Sequence, residues 1–238
     1  MPTRLPALWN RPIGFAHRGA RAHAPENTIE AFTLAVRLGA TGLETDVWRT
    51  ADGEIVCDHD GVMRRFRLWR SSISELPRQV LPDHIPTLGE VYDACGTGLP
   101  LSVDVKDPAA FGGLIAVARD YEAAEQLWVC HEDLDVLISW RELAPEVNLV
   151  NSTRLERLPR GAERRAAELA RERIAAVNLR RADWTGGLTT LFHRFDVLAF
   201  AWDANLDRHI AELVDMGIDA VYSDHVDRMA DVIGRFYD

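Results

Sequence analysis

The stretch 42–61, GLETDVWRTADGEIVCDHDG, holds Glu44 and Asp46 two residues apart, then a turn signal, then His59 beside Asp60. At i and i+2 on a strand, the two acids point to the same face. Carboxylates that close repel unless a cation or a shared proton neutralises them. Oxygen-only donors suit a hard cation such as Mg²⁺ or Ca²⁺ rather than zinc. Asp104, in LSVDVK, supplies a third acid from a neighbouring strand. The ordinary alternative is a strand laced with surface salt bridges, or an aspartate bound to a loop amide.

His17 and His59 would complete such a site as general acid and general base, because imidazole titrates near neutral pH. A single histidine is more often a surface or hydrogen-bonded structural residue; two converging on three acids call for chemistry. Arg18 and Lys106 would supply positive charge for an anionic substrate, Arg as a two-pronged donor and Lys as a point charge. Metal, Arg and Lys together point to phosphoryl chemistry. Trp202 walls a glycerol-sized pocket or simply packs. Pro25–Thr28 reads first as a helix start, with Asn27 its N-cap. His23 and His131 reach the site or stay outside it, and Arg64 and Arg65 form a solvated basic pair or reach a phosphate. Asp60 orients His59 or caps its loop. The run GAERRAAELARERI is a charged helix face.

Positioning these groups is the task of alternating β-like and helical segments. Strands are expected at Ile13–Ala16, Leu43–Val47, Glu54–Asp58, Leu101–Val105, Gln126–Cys130, Val147–Asn151, Ala175–Leu179, Val197–Ala201 and Asp219–Ser223. Helices are expected after Asn27, then at Leu88–Ala94, Pro108–Tyr121, Leu134–Glu142, Gly161–Arg173, Trp184–His193 and Leu206–Met216. Such alternation implies parallel strands with right-handed crossovers. Nine strands are one too many for an eight-stranded barrel. TADG, however, is too short for a crossover helix, so the second and third runs must form an antiparallel hairpin.

The expectation is therefore an α/β TIM (β/α)8 barrel, with a β-hairpin extending strand two past the barrel mouth. Pairing about Asp52 would set His59 opposite Asp46. Residues 64–86 read as an irregular excursion, and residues 1–238 as a single domain. In a barrel the strand C-termini carry the chemistry. Here they present His17, Glu44 and Asp46, Asp104 and Lys106, His131, Asn151, Asn178, Trp202 and Asp224. A doubly wound open sheet is the second architecture, without the GxGxxG or GxxxxGK[ST] of its nucleotide-binding forms.

Composition narrows the function classes. Of 238 residues, 47% are hydrophobic and 27% charged, the balance of a globular chain with a sizeable core. A formal net charge of -10 disfavours nucleic acid as partner. No apolar run is long enough for a membrane span, and MPTRLPALWN lacks the apolar core of a secretory signal. Cys57, Cys95 and Cys130 are far apart without a CxxC pair, which points to a reduced, cytoplasmic chain and away from a disulfide framework or structural zinc. The oligomeric state is left open.

AHRGARAHAPENTIEAFTLAVRLGATGLETDVWRTADGEIVCDHDG resembles the N-terminal signature of glycerophosphodiester phosphodiesterases: HRG, PENT, a helix ending in GA, E-x-D, T-x-DG and HD. The likeness continues in IPTLGEV, LSVDVK, the Trp and Asn of WDAN, and GIDAVYSD. It implies a phosphodiesterase barrel that hydrolyses small-molecule glycerophosphodiesters to sn-glycerol 3-phosphate and an alcohol. His17 and His59 fall on the acid/base pair, Glu44 and Asp46 on ligands of a divalent metal (Ca²⁺ or Mg²⁺), and Arg18 and Lys106 on phosphate contacts. Asp104 replaces the usual glutamate of the third metal ligand, and FRLWRSSISEL lacks the frequent R-T-T run. Two alternatives stand beside this reading. One is the same machinery acting on lysophospholipids or other alcohol phosphodiesters; the other is a catalytically impaired phosphodiester-binding barrel.

Overall fold

The structure, a computed structural model, describes residues 4–65, 69–158 and 160–237; the side chains of Arg64, Arg65 and Trp69 lie outside the described set, and with them the suggestion that the arginine pair reaches a phosphate. Eight parallel strands close into a barrel: β1 (Ile13–Ala16), β2 (Gly42–Arg49), β6 (Leu101–Val105), β7 (Leu127–His131), β8 (Asn148–Ser152), β9 (Ala176–Arg180), β10 (Leu198–Trp202) and β11 (Ala220–Ser223). Closure comes from β1, which pairs in parallel with both β2 and β11. Between them, β3 (Ile55–Cys57) folds antiparallel onto β2 outside the barrel, and β4 (Val62–Arg65) pairs antiparallel with β5 (Trp69–Ser72). The expected barrel with its appended hairpin is the fold observed.

The two-residue period of the strands builds two cores. Inward-facing Ile13, Phe15, Trp128, Cys130, Val150, Leu198, Phe200 and Tyr222 fill the barrel. Phe15 stacks on Tyr222 at 4.9 Å, and Trp9 closes the cluster edge-on against Trp128 at 5.4 Å. Gly42 has to be small, because a Cβ there would lie 2.6 Å from the Phe15 ring. Outward-facing Leu43, Val47, Val103, Val129, Leu149, Val177 and Ala199 pack against the surrounding helices. Burial on both faces explains why the strands read as nearly unbroken apolar runs. Each fully buried large side chain contributes about 1.5–3 kcal/mol.

The helices are α1 (Ile29–Arg37), α2 (Leu88–Cys95), α3 (Phe111–Asp120), α4 (Leu134–Arg141), α5 (Ala162–Arg171), α6 (Gly186–His193), α7 (Asp207–Asp215) and α8 (Val226–Tyr237). In α1 the cap is Thr28, whose hydroxyl accepts from the Ala31 N–H at 3.1 Å; Asn27 instead takes a left-handed backbone (φ 54°) and turns its side chain to the site. No helix is expected beyond Ser223, yet α8 forms there, and Val226, Met229, Val232 and Ile233 give it a buried stripe at helical spacing.

Two further differences bear on the site. The β2–β3 register is Val47↔Cys57, so the N–H of Asp58, not of His59, bonds to the carbonyl of Asp46 (3.1 Å), and His59 sits one residue further along. Strands β7 to β10 end one residue later than expected; His131, Asn178 and Trp202 still reach the cavity at the barrel mouth as expected, and Asn151 does not. The excursion after His59 is more ordered than its weak periodicity suggests. Beyond β5 come short 3-10 turns, and Ile73, Leu81 and Ile85 pack with Val56 in a satellite cluster beneath them.

Candidate active site

A cavity of about 670 Å³ opens at the C-terminal ends of the barrel strands. His17, Arg18, Glu44, Asp46, His59, Asp104, Lys106 and Trp202 all line it. One register fact organises the acids: β2 and β6 pair Glu44 with Ser102 and Asp46 with Asp104, which sets Asp46 and Asp104 abreast on adjoining strands. Glu44 lies deepest of the metal-ligand candidates on β2, and its carboxylate accepts the Arg18 backbone N–H at 2.7 Å. That contact requires the turn after β1, where Arg18 (φ 52°) and Gly19 (φ 77°) are both left-handed. Any Cβ at Gly19 would also strike the Ala31 backbone at 2.7 Å, so the HRG glycine is sterically required.

Glu44 binds its proton up to about pH 7. Burial is the main cause, Asp46 and Asp104 add to it, and His17 and the Arg18 N–H oppose it. Asp46, only 2% exposed, has more cationic company: Arg18 Nε at 3.1 Å and Lys106 Nζ at 3.0 Å, with the Asn27 amide donating at 3.3 Å. Lys106 also donates to Asp104 at 2.6 Å. Burial works against its ammonium, but Asp104 and Asp46 outweigh that and hold its pKa above the usual lysine value.

The donor chemistry at these positions fits a hard divalent cation. Three carboxylates line one end of the cavity, and buried Glu44 has no guanidinium or ammonium ion pair among the described residues. In the arrangement shown, Lys106 bridges the other two acids.

Each histidine is tethered at one nitrogen. His17 Nδ1 lies 2.6 Å from Asp224 Oδ1, and His59 Nδ1 lies 2.8 Å from Asp60 Oδ1. An ionised carboxylate only accepts, so Nδ1 carries the proton in both rings and Nε2 is left to exchange one. Burial lowers the basicity of His17, but Glu44 and the hydrogen bond to Asp224 outweigh it and raise its pKa. Asp224 is itself held low despite partial burial, by His17 and then Arg21. Asp60 makes the contact to His59 that an orienting role calls for, and the Asp58 carboxylate takes the loop amide of Gly61 at 2.6 Å.

Several residues that hold this half together lie in segments the sequence reads first as a helix start or as part of a motif, without a bracing role. Glu26 grips Arg18 Nη1 (3.0 Å) and Arg21 Nε (2.6 Å), and Asn27 links Asp46 to Thr45. Asn205 accepts the Asp224 N–H at 2.8 Å. PENT and WDAN contain these side chains, but their reach across the barrel is a tertiary fact.

The opposite wall is built differently. Trp202 has the guanidinium carbons of Arg154 and Arg180 at 5.8 and 5.9 Å from its ring centroid, and Arg157 lines the cavity beside them. These arginines are about half exposed, against 11% for Arg18. Asn178 lines this cavity and presents a buried Oδ1 with no hydrogen-bond partner among the described residues. Asn151 faces away and instead staples the carbonyls of His131 and Glu132; Ser152, Thr153 and Arg154 take its expected place. His131 lines the cavity, but its Nδ1 accepts the Asp133 N–H at 3.0 Å. His23 lies outside, paired with Asp227. Cys57 and Cys130 are buried thiols pushed up to about 12 by desolvation, unsuited to nucleophilic attack.

Residues 17–228 match the model of the glycerophosphoryl diester phosphodiesterase family. The glycerophosphodiester phosphodiesterase of Caldanaerobacter subterraneus is 27% identical over 159 residues, 58% of this chain and 65% of that protein. YhdW of Bacillus subtilis is 26% identical across 89% of this chain and 94% of its own length. Among solved structures, the Thermotoga maritima glycerophosphodiester phosphodiesterase superposes with a TM-score of 0.80 at 21% identity, covering 94% of this chain and 99% of that one. An Oleispira antarctica phosphodiesterase, solved in complex with the product sn-glycerol-3-phosphate, gives 0.82 at 21% identity over 94% and 97%. These structures establish the shared barrel. The family match, with the HRG, E-x-D and HD residues gathered in one cavity, establishes the lineage: this chain belongs to the glycerophosphoryl diester phosphodiesterase family of phosphodiester hydrolases.

Proposed function

We propose that this protein hydrolyses glycerophosphodiesters to sn-glycerol 3-phosphate and an alcohol, with His17 and His59 as the acid/base pair and Glu44, Asp46 and Asp104 holding a divalent cation such as Mg²⁺ or Ca²⁺. The observation that carries the reading is the pair of Asp-tethered imidazoles in the same cavity as the three acids and Lys106. His17, more basic than an ordinary imidazole, is suited to carry a proton at neutral pH and give it to a departing oxygen through Nε2. His59 is suited to take the proton of the attacking hydroxyl. Arg18 and Lys106 are placed to offset charge on the phosphoryl oxygens, Lys106 as a cation that its acidic neighbours keep protonated. When bound, the cation would polarise a phosphoryl oxygen and lower the pKa of a coordinated hydroxyl. Asn178 Oδ1, unpartnered in the cavity, would accept from a glycerol hydroxyl, and Trp202 would wall the carbon skeleton.

A mouth lined by charged groups supports a small polar substrate over a lysophospholipid, whose acyl chain would find Val105 and Trp202 as its main apolar contacts. The retained, tethered histidines support turnover rather than binding alone. Closure of β1 onto β11 supports reading residues 1–238 as one domain. Among the described residues no helix is long and apolar enough to cross a membrane; the buried, unpaired thiols of Cys57 and Cys130 support a reducing, cytoplasmic setting. The test is release of glycerol 3-phosphate from a panel of glycerophosphodiesters with Mg²⁺ or Ca²⁺ and its abolition by EDTA. No release from any of them, with metal bound, would sink the proposal.

A further inference from the structure

We propose that His23, His225 and Asp227 form a second metal site, for a borderline cation such as Zn²⁺, on the rim beside the catalytic cavity. One ligand atom from each of the three lies within 4.8 Å of the other two. His23 Nε2 already stands 3.0 Å from Asp227 Oδ1, and the two imidazole rings are 6.0 Å apart at 86°. A tetrahedral zinc with bonds of about 2.0–2.1 Å spaces its ligands roughly 3.3 Å apart. Side-chain rotation alone would close the remaining gap, since His23 and Asp227 are exposed and His225 half-buried. The backbone is already fixed on both sides. The N–H of Ala22 bonds the Asp224 carbonyl (3.1 Å), that of His23 the Ala20 carbonyl (2.8 Å), and that of His225 the Ser223 hydroxyl (3.1 Å).

Donor chemistry separates this site from the acidic one. Two imidazoles and one carboxylate select zinc, cobalt or nickel over magnesium and calcium, whereas the carboxylates of Glu44, Asp46 and Asp104 have the opposite preference. Position gives the rim site a consequence. It joins the turn that carries His17, Arg18 and Arg21 to the turn that carries Asp224, the partner of His17. A bound ion is a clamp between those two turns, and it stabilises the folded chain by mass action.

The test begins with chelator-treated protein saturated with Mg²⁺, then titrated with Co²⁺ and followed by ligand-field absorption. One equivalent of nitrogen-ligated Co²⁺ is expected, displaced by Zn²⁺, with a rise in Tm on adding Zn²⁺. His23→Ala and His225→Ala should each weaken binding at least ~10-fold, and Asp227→Asn should weaken it too. Glu44→Gln should leave it unchanged. Absence of saturable Co²⁺ binding under excess Mg²⁺ would overturn the site. So would binding that persists in the His23→Ala/His225→Ala double variant, or that vanishes with Glu44→Gln. Because the readout is Co²⁺ binding rather than turnover, failure of the proposed hydrolysis would leave this result standing on its own.

Discussion

A histidine–aspartate pair sits at each end of β11. At the N-terminal end, His193 Nε2 meets Asp219 Oδ2 at 2.7 Å; at the C-terminal end, His17 Nδ1 meets Asp224 Oδ1 at 2.6 Å. The contacts are nearly the same length, yet their surroundings differ. Asp219 is fully buried and also takes the backbone N–H groups of Leu8, Trp9 and Ala199, so it pins the N-terminal arm and β10 to β11. Asp224 and His17 are 27% and 29% exposed and open onto the cavity, with the second nitrogen of His17 directed to Glu44 at 4.0 Å. A His–Asp pair whose acceptor is saturated holds a fold together; one with a free nitrogen facing a cavity can move a proton. The same contrast separates bottom and top faces in barrels generally.

Substitutions at the two ends should dissociate activity from stability. The largest expected effect is on turnover: His17→Ala and His59→Ala should each lower kcat by about 10²–10⁴ with little change in Tm. Near-normal kcat in either would remove that residue from proton transfer. Next comes Asp219→Asn at the opposite end, which weakens a carboxylate holding four donors and should cost about 2–4 kcal/mol while leaving kcat intact. A catalytic defect with unchanged Tm would reverse the assignment of the two ends. Asp224→Asn should be smaller in kcat, about 10–100-fold, and should move the pH profile, because the tether that fixes the His17 tautomer and raises its basicity is lost. An unchanged profile would show that Asp224 merely packs.

A smaller effect concerns pH. Glu44 binds its proton up to about pH 7, against an ordinary value of 4.5, and the pKa of His17 is raised from 6.5. For both groups the folded chain holds more protons than the unfolded one in this range, so the stability each contributes declines as pH rises. In EDTA, Tm should therefore fall between about pH 5 and pH 8, with the Glu44 share complete once pH passes about 7. Glu44→Gln should flatten the slope, and added Mg²⁺ should oppose it by favouring the ionised carboxylate. A Tm that rises across this window would contradict the uncompensated burial of Glu44. Asp104→Glu is expected to be the mildest change, shifting metal preference or affinity more than kcat. Unchanged metal binding would show that Asp104 serves Lys106 rather than a cation.

Local chemistry made much of the catalytic half legible. Glu44 and Asp46 share a face because strands alternate, and TADG can only be a tight reversal, so the hairpin that returns His59 follows from chain length alone. The alternation of segments implied the barrel. The misses came from quantities that a single segment does not contain. A one-residue register shift set Asp58 opposite Asp46, because hairpin pairing is decided by turn geometry and by packing on both faces. Asn27 looked like a cap and became a site residue, because the turn after β1 spends its left-handed conformations on bringing Arg18 to Glu44.

By itself, then, the sequence determined the strand–helix alternation outside the β4–β5 excursion, the parallel sheet, the antiparallel return and the eight side chains at the mouth, since these depend on period, length and turn chemistry. Only the tertiary structure decided which of several His–Asp combinations would meet a cavity and which would be buried in the scaffold. It also decided that Glu26, Asn27 and Asn205 brace the site, and that His23 joins His225 and Asp227 more than two hundred residues away. The physical reason is that a hydrogen bond or ion pair takes its value from distance and burial. Those are properties of the closed barrel, which brings β1 against β11, and not of either strand alone.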